Sequence, residues 1–232
     1  MITVNYNYYN NLDLFKWIRD YYLCLNTKGF KFTIIDDGSK KVPLPLEEVP
    51  DEWSHYIVTE DVGWNCNGAR NLLMQQTETE WNINVDLDRV MTPQSMKYLR
   101  DVDLDSSKMY HFSNLPNEVL PHTSGVVQDY KWLLKDQSDY SCAYNTYVIT
   151  KDNFWKAGGY PELVHKGEYG GDYLFLDKFK PWNVDPNLMV FNVVHHASFD
   201  NDWKQKSIDR WGRYKAGKDD GKRINYPWIK IN

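Results

Sequence analysis

The stretch WNINVDLDRV, residues 81–90, decides how the chain is read. Apolar and polar residues alternate in it, which is the period of a strand. Along an extended chain Trp81, Ile83, Val85 and Leu87 point one way, and Asn82, Asn84, Asp86 and Asp88 the other. A half-buried strand with a solvated polar face would account for the pattern. Asp and Asn are poor strand residues, however, and two neighbouring carboxylates repel unless something neutralises them. A divalent cation would.

Upstream, ITVNYNY (residues 2–8) reads as a strand, and NLDLFKWIRDYYLCL (11–25) has apolar residues at helical spacing. FKFTIIDDGS (30–39) is an apolar strand ended by an Asp-Gly-Ser turn, and HYIVTED (55–61) is a third strand. NGARNLLMQQTETE (67–80) reads as a helix leading into the quoted strand. Strands separated by helices imply a mostly parallel central sheet with helices on its faces, an α/β fold. Ligands bind beyond the C-terminal ends of such strands. The polar clusters fall there: Asn7 to Asn10, Asp36 to Ser39, Glu60 to Asp61, and Asp86 to Asp88.

The second half is less regular. MYHFSNL (109–115) is strand-like, and YNTYVITKDNFWKAGGYPE (144–162) reads as a strand, a short helix and a glycine-rich turn. YGGDYLFLDKF (169–179) enters a helix through glycines, and NLMVFNVVHH (187–196) is a strand running into two histidines. No internal repeat or linker interrupts the 232 residues, so a single domain is expected.

Composition narrows the function classes. A net charge of −5 disfavours a protein built to wrap nucleic-acid backbone. KAGKDDGKR (215–223) holds four basic residues diluted by Asp219 and Asp220, and reads as a solvated tail. Three cysteines without metal-type spacing fit reduced thiols in a cytoplasmic protein. With neither a signal-peptide pattern nor an apolar run of membrane-spanning length, a soluble protein is expected. The aromatic share is 16%, and aromatics serve cores as readily as they stack on sugars and bases. Trp132, Trp155, Trp203 and Trp211 in the second half are candidates for either use.

The chemistry-bearing groups are few. Hard carboxylate oxygens at Asp86 and Asp88 suit Mg²⁺ or Mn²⁺. His195 or His196 could complete such a site, or simply hydrogen-bond backbone at a strand end. Asp172 is either a helix-dipole residue or a general base for a substrate hydroxyl, with Gly170 and Gly171 permitting close approach. There is no P-loop, nucleophile elbow or G-x-G-x-x-G after the first strand, which disfavours common hydrolases and dinucleotide-dependent dehydrogenases.

In order and approximate spacing these segments resemble the GT-A-type glycosyltransferases, in particular their large inverting family 2. TVNYNYYNN (3–11) is similar to that family's first strand and Pro-Thr-Tyr-Asn turn, with Asn7-Tyr8 in place of Pro-Thr. IIDDGS (34–39), GWNCNGARN (63–71), VDLD (85–88), AGGYPE (157–162) and YGGD (169–172) resemble its further motifs, together covering roughly residues 1–200. The resemblance implies a single GT-A-like domain: residues 1–90 bind the nucleotide sugar, 91–200 form the acceptor and catalytic part, and 201–232 are a C-terminal extension. It implies that Asn7, Tyr9, Asp37, Arg70 and Asp86 bind the donor. Asp86 and Asp88 hold Mn²⁺ or Mg²⁺, with His195 or His196 as a further ligand. Asp172 becomes the catalytic base; Gly171 stands where the family often has a first acid, and Glu168 and Asp177 are the nearby substitutes.

The expected function is metal-dependent transfer of a sugar from a nucleoside-diphosphate sugar, a UDP-sugar by family frequency, to an acceptor hydroxyl with inversion. The default acceptor is a glycan or small polar molecule. Alternatives are a phage-type enzyme acting on a hydroxylated DNA base, a retaining enzyme in which Asp172 binds acceptor, and a non-catalytic sugar-nucleotide or glycan-binding module. A nucleotidyltransferase is disfavoured because NYNYYNN is not a glycine-rich basic loop.

Overall fold

The structure, a computed structural model, describes residues 1–63, 65–115, 142–162, 171–179, 182–193, 224 and 226–232. The described elements run β1 (Ile2–Tyr8), α1 (Leu12–Leu23), β2 (Phe30–Asp36), β3 (Ser54–Val58), α2 (Cys66–Gln76), β4 (Trp81–Val85) and β5 (Arg89–Met91). They continue with α3 (Pro93–Asp101), β6 (Met109–Asn114), β7 (Cys142–Thr150), α4 (Lys151–Lys156), α5 (Gly171–Lys178), β8 (Trp182–Asn192) and β9 (Trp228–Lys230). The strands make one sheet in the order β5-β8-β6-β7-β4-β1-β2-β3-β9.

The block β3-β2-β1-β4 is continuously parallel, and β6 and β8 form a second parallel pair. β7 and β9 flank the four-stranded block antiparallel, so the complete sheet is mixed. The parallel block follows from its helical crossovers, which return each strand to the same direction. All four of its strands therefore end at one edge, and the expected polar clusters gather there.

Helices cover both faces of this block. On one face Phe15, Ile18, Tyr21 and Tyr22 of α1 pack with Val4, Tyr6, Phe32, Ile34, Ile83 and Trp53 in the main core. Phe32 and Trp53 stack with ring centroids 4.7 Å apart. On the other face Ala69, Leu72 and Leu73 of α2 pack on Ile35, Tyr56 and Val58. A third cluster joins α4 and α5 to β7 through Tyr147, Phe154, Tyr160 and Phe175. Trp155 belongs to this packing, edge-on to Phe154 at 5.0 Å, which is a structural use of that ring.

Local sequence explains the helix starts. Asn11, Asn65, Thr92 and Thr150 each accept an orphan N–H of the first turn, and Pro93 sits at the start of α3. The helix read over residues 67–80 ends at Gln76, where Thr77 turns extended (ψ 140°) after its N–H closes the last turn on Leu73, and its hydroxyl bonds Thr3 and Thr79. The quoted stretch also departs from a single strand. β4 stops at Val85, and a turn closed by Arg89 N–H donating to the Asp86 carbonyl (3.0 Å) starts β5, which pairs with β8. Asp86 and Asp88 thus lie in a turn rather than on one pleated face.

α3, β5 and β9 are absent from the elements expected above and emerge only in the fold, although α3 is amphipathic and buries Ser95, Met96 and Leu99. β8 begins at Trp182, ahead of the apolar run that announces it, and its register against β6 jumps from Val184 to Met189 around Pro186.

Candidate functional site

The site is built from the C-terminal ends of β1, β2 and β4 and the first turns of α2. Tyrosines of α1 hold its floor. Met91 N–H donates to Tyr22 (3.0 Å), Tyr22 to Tyr6 (2.8 Å), and Tyr6 to the Arg89 carbonyl (3.0 Å). Tyr21 donates to the Met91 carbonyl at 2.8 Å. These buried hydroxyls fix the turn that carries both aspartates, and desolvation pushes those of Tyr6 and Tyr22 far towards their neutral form.

The two aspartates of the Asp-Asp-Gly-Ser turn have separate tasks. Asp36 accepts from Ser39 N–H and Leu44 N–H, both at 2.8 Å, and so shapes the loop. Gly38 (φ 74°) permits the sharp turn, and a side chain there would meet the Glu60 carbonyl at 2.7 Å. Asp37 is wholly buried. Its Oδ2 accepts from the backbone N–H of Asn65, the residue that caps α2, while Oδ1 is buried without a hydrogen-bond partner among the described residues. Burial raises its carboxyl well above the ordinary range; the Asn65 N–H lowers it, and Asp36 and Asp61 raise it further.

Asn7 stands on the same face as Asp37, one strand over, in a register that pairs it with Ile35. Both polar atoms of its amide are buried and lack hydrogen-bond partners among the described residues. Tyr9 lies at the rim, its hydroxyl directed at Asp61 Oδ1 at 3.4 Å. Burial raises its phenol, with Asp61 adding to the shift.

Asp86 is held by three groups. Arg70 pairs with Oδ1, Asn145 donates to Oδ2 at 2.9 Å, and Arg89 reaches Oδ2 at 3.4 Å. Arg70 is buried, with its guanidinium 5.2 Å from the centre of the Tyr160 ring. Tyr160 stacks in turn on Phe175 of α5 at 4.7 Å. The Asp88 carbonyl accepts from Val193 N–H at 2.7 Å, which brings the end of β8 against the turn.

The fold therefore gathers Asn7, Tyr9, Asp37, Arg70, Asp86 and Asp88 at one edge. Asp172 is the second residue of α5, and its side chain lies outside the described set, as does that of Asp177. Glu168, His195, His196, Trp132, Trp203, Trp211 and residues 215–223 also lie outside the described residues. Among the described residues no three His, Cys, Asp or Glu side chains are assembled around a cation position. Asp86 is committed to Arg70, Arg89 and Asn145.

Sequence reasoning missed Arg89, Asn145, Asn65, Glu162 and Tyr226. Arg89 had a signal, the three-residue spacing from Asp86. Glu162 is a buried carboxylate that accepts from the Asn71 amide and from Ile224 N–H, tying α2 to the C-terminal segment. No local pattern announces Asn145 or Tyr226.

No protein-family model matches the chain, and no curated protein matches it in sequence. Solved structures do match in fold. GalNAc-T7 with UDP, GalNAc and Mn²⁺ aligns with TM-score 0.56 and 11% identity, covering 90% of this chain and 47% of its own. The mannosyltransferase PcManGT from Pyrobaculum calidifontis, with GDP-Man and Mn²⁺, gives 0.58 and 13%, covering 94% and 65%. Residues 1–349 of TarS from S. aureus give 0.51 and 13%, covering 82% and 57%. The chain spans between 47% and 65% of these solved chains. The fold is that of the GT-A-type glycosyltransferases. Among the described residues no helix is long and apolar enough to cross a membrane.

Proposed function

We propose that the protein is a metal-dependent glycosyltransferase that takes a sugar from a nucleoside-diphosphate sugar, a UDP-sugar, and transfers it with inversion to the hydroxyl of a glycan or small polar acceptor. The observation that carries this reading is Asp37, a wholly buried carboxylate with one oxygen unpartnered among the described residues, facing the same strand edge as the Arg70–Asp86–Arg89 cluster. Natural proteins rarely leave such an atom unsatisfied, and a ligand N–H arriving at the edge would satisfy it. Similar folds crystallised with UDP or GDP-Man and Mn²⁺ support the substrate class.

Each residue then has a task. Asp37, Asn7 and Tyr9 bind the nucleoside. Arg70 and Arg89 hold Asp86 rigid beside the ribose. Asp88, with His195 or His196, would hold Mn²⁺ or Mg²⁺. When bound, the cation offsets the negative charge that builds on the departing diphosphate. Asp172 lies three residues before Phe175, whose ring is joined through Tyr160 to Arg70. It accepts the proton of the acceptor hydroxyl as that oxygen bonds to the anomeric carbon. The bond from that carbon to the diphosphate oxygen breaks, and its electron pair leaves with the diphosphate.

A thermal-shift panel of UDP, GDP and CDP with and without Mn²⁺ tests the donor assignment. A ligand at ~100 times its dissociation constant raises the melting temperature by roughly 5–10 °C for a chain of this size. The expected result is a Mn²⁺-dependent shift with UDP that Asp88→Ala abolishes. Asp172→Asn should keep the shift and lose transfer; undiminished turnover in that variant would remove Asp172 as the base.

A further inference from the structure

Three side chains of α2 grip the turn that leads out of α4. Asn67 donates to the Pro161 carbonyl at 3.2 Å. Asn71 accepts from Tyr160 N–H and donates to the Tyr160 carbonyl, both at 2.9 Å, and donates to Glu162 at 2.6 Å. The third is Arg70, whose guanidinium stands 5.2 Å from the centre of the Tyr160 ring. Gly159, at φ 64°, permits the approach, since a Cβ there would meet Asn71 Oδ1 at 2.8 Å.

The grip fixes one wholly buried side chain, Tyr160, that touches two parts of the site. Towards the donor edge its neighbour Arg70 pairs with Asp86. Its hydroxyl shares a 2.6 Å hydrogen bond with Tyr147, which accepts from Asn84 of β4 at 2.9 Å. Towards α5 its ring stacks on Phe175 at 4.7 Å, and Tyr147 stacks on the same ring at 5.6 Å. Phe175 is wholly buried too, and Leu176 and Phe179 join it in the cluster. The seat of Phe175 therefore sets where the first turn of α5, with Asp172 three residues earlier, stands relative to Asp86. Packing alone would be served by an aliphatic side chain. A cation at a ring and paired phenols are directional, so they fix orientation as well as volume.

We infer that Tyr160 is a positioning residue that couples donor binding to the placement of α5, through Arg70 on one side and Phe175 on the other. This rests on the nucleotide-sugar reading above and deepens it. A nucleotide arriving beside Asp86 immobilises the Asp86–Arg70 pair. Arg70 then holds the Tyr160 ring, and the ring holds Phe175 and its helix. Donor binding steadies α5 from a distance, and by linkage a steadier α5 favours the donor. Misplacing a base by about 1 Å costs on the order of 100-fold in rate, which is what the coupling guards against.

Hydrogen–deuterium exchange of the full chain, with and without UDP or GDP plus Mn²⁺, is the test, on wild type, Tyr160→Phe, Tyr160→Leu and Phe175→Leu. In wild type UDP with Mn²⁺ should slow exchange over residues 66–76 and also over 171–178, the latter by about fivefold or more, the lower end of coupling between sites. Tyr160→Leu and Phe175→Leu should keep the first effect and lose the second. Tyr160→Phe, which keeps the ring and its stack, should retain both. Either leucine variant alone decides the matter if the other does not fold. Leucine variants that exchange faster over 171–178 yet are still slowed there by nucleotide overturn the coupling and leave Tyr160 a purely structural ring. Slowing confined to 66–76 in wild type also overturns the coupling and leaves the nucleotide reading standing. No slowing anywhere with either nucleotide overturns both.

Discussion

The two faces of the parallel block are made of opposite materials. Towards α1 the strands present Val4, Tyr6, Tyr8, Phe32, Ile34, Ile83 and Val85, all buried and almost wholly apolar. Towards α2 the alternate positions of the same block present Thr3, Asn5, Asn7, Thr33, Asn82 and Asn84 beside the apolar Ile35, Tyr56 and Val58, with Asp37 and Asp86 just past the ends of β2 and β4. Thr3, Asn5, Asn82 and Asn84 are nearly as buried as their apolar neighbours. Buried polar groups cost stability unless partnered, and several here have atoms without partners among the described residues. One face therefore supplies cohesion, and the other gives up some of it to keep hydrogen-bonding groups at the strand ends.

The largest effect expected from breaking this contrast is on the α1 face. Phe15→Ala removes a wholly buried ring that packs edge-on to Tyr8 and Trp53. Urea denaturation should show a loss of about 3–5 kcal/mol. Nucleotide affinity below the melting transition should be unchanged, because the α2 face is not touched.

His55 comes next. It sits on β3 on the face opposite Tyr56 and Val58, 1% exposed, and burial lowers its imidazole to about 4. The neutral form is the one the fold accepts. Its contribution is therefore present above the unfolded value near 6.5 and is lost as pH falls from there to about 4, by on the order of 3 kcal/mol. Melting temperatures from pH 7 to 4 should fall more steeply in wild type than in His55→Gln. Parallel profiles would contradict this account.

The smallest effect has the opposite sign. The Asp37 carboxyl is raised by burial, so its contribution to stability is complete below the ordinary carboxylate range and is lost as pH rises through the raised value. Asp37→Asn should then melt higher than wild type at pH 7 and equally at the acid end, while binding UDP more weakly. A variant that melts lower at pH 7 would place Asp37 among the stabilising groups and erase the contrast between the faces.

Much of this was legible along the chain. The alternation of strands and helices, the ligand edge, and the grouping of Asn7, Asp37 and Asp86 follow from period and turn chemistry, which are local, whereas Arg70 entered only through the family resemblance. The break after Val85 was not, because Asp86 to Asp88 fit strand alternation as well as a turn. The hydroxyls of Tyr6 and Tyr22 decide between them, reaching Arg89 and Met91 from 83 and 69 residues away. The polar face also misleads. Asn82 and Asn84 read as solvated, yet both are wholly buried, Asn84 donating to the Tyr147 hydroxyl at 2.9 Å and Asn82 to the Thr79 and Glu80 carbonyls at 3.2 Å.

By itself the amino-acid sequence determined the α/β class and which residue types stand at the strand ends, since each depends on neighbours a few positions away. Tertiary structure alone decided that Asn145 meets Asp86 across 59 residues, that Glu162 meets Ile224 across 62, and that Tyr226 lies against Gly68. Such meetings depend on where the sheet and helices carry each group, and a period of two or of 3.6 residues holds no information about a partner that far along the chain.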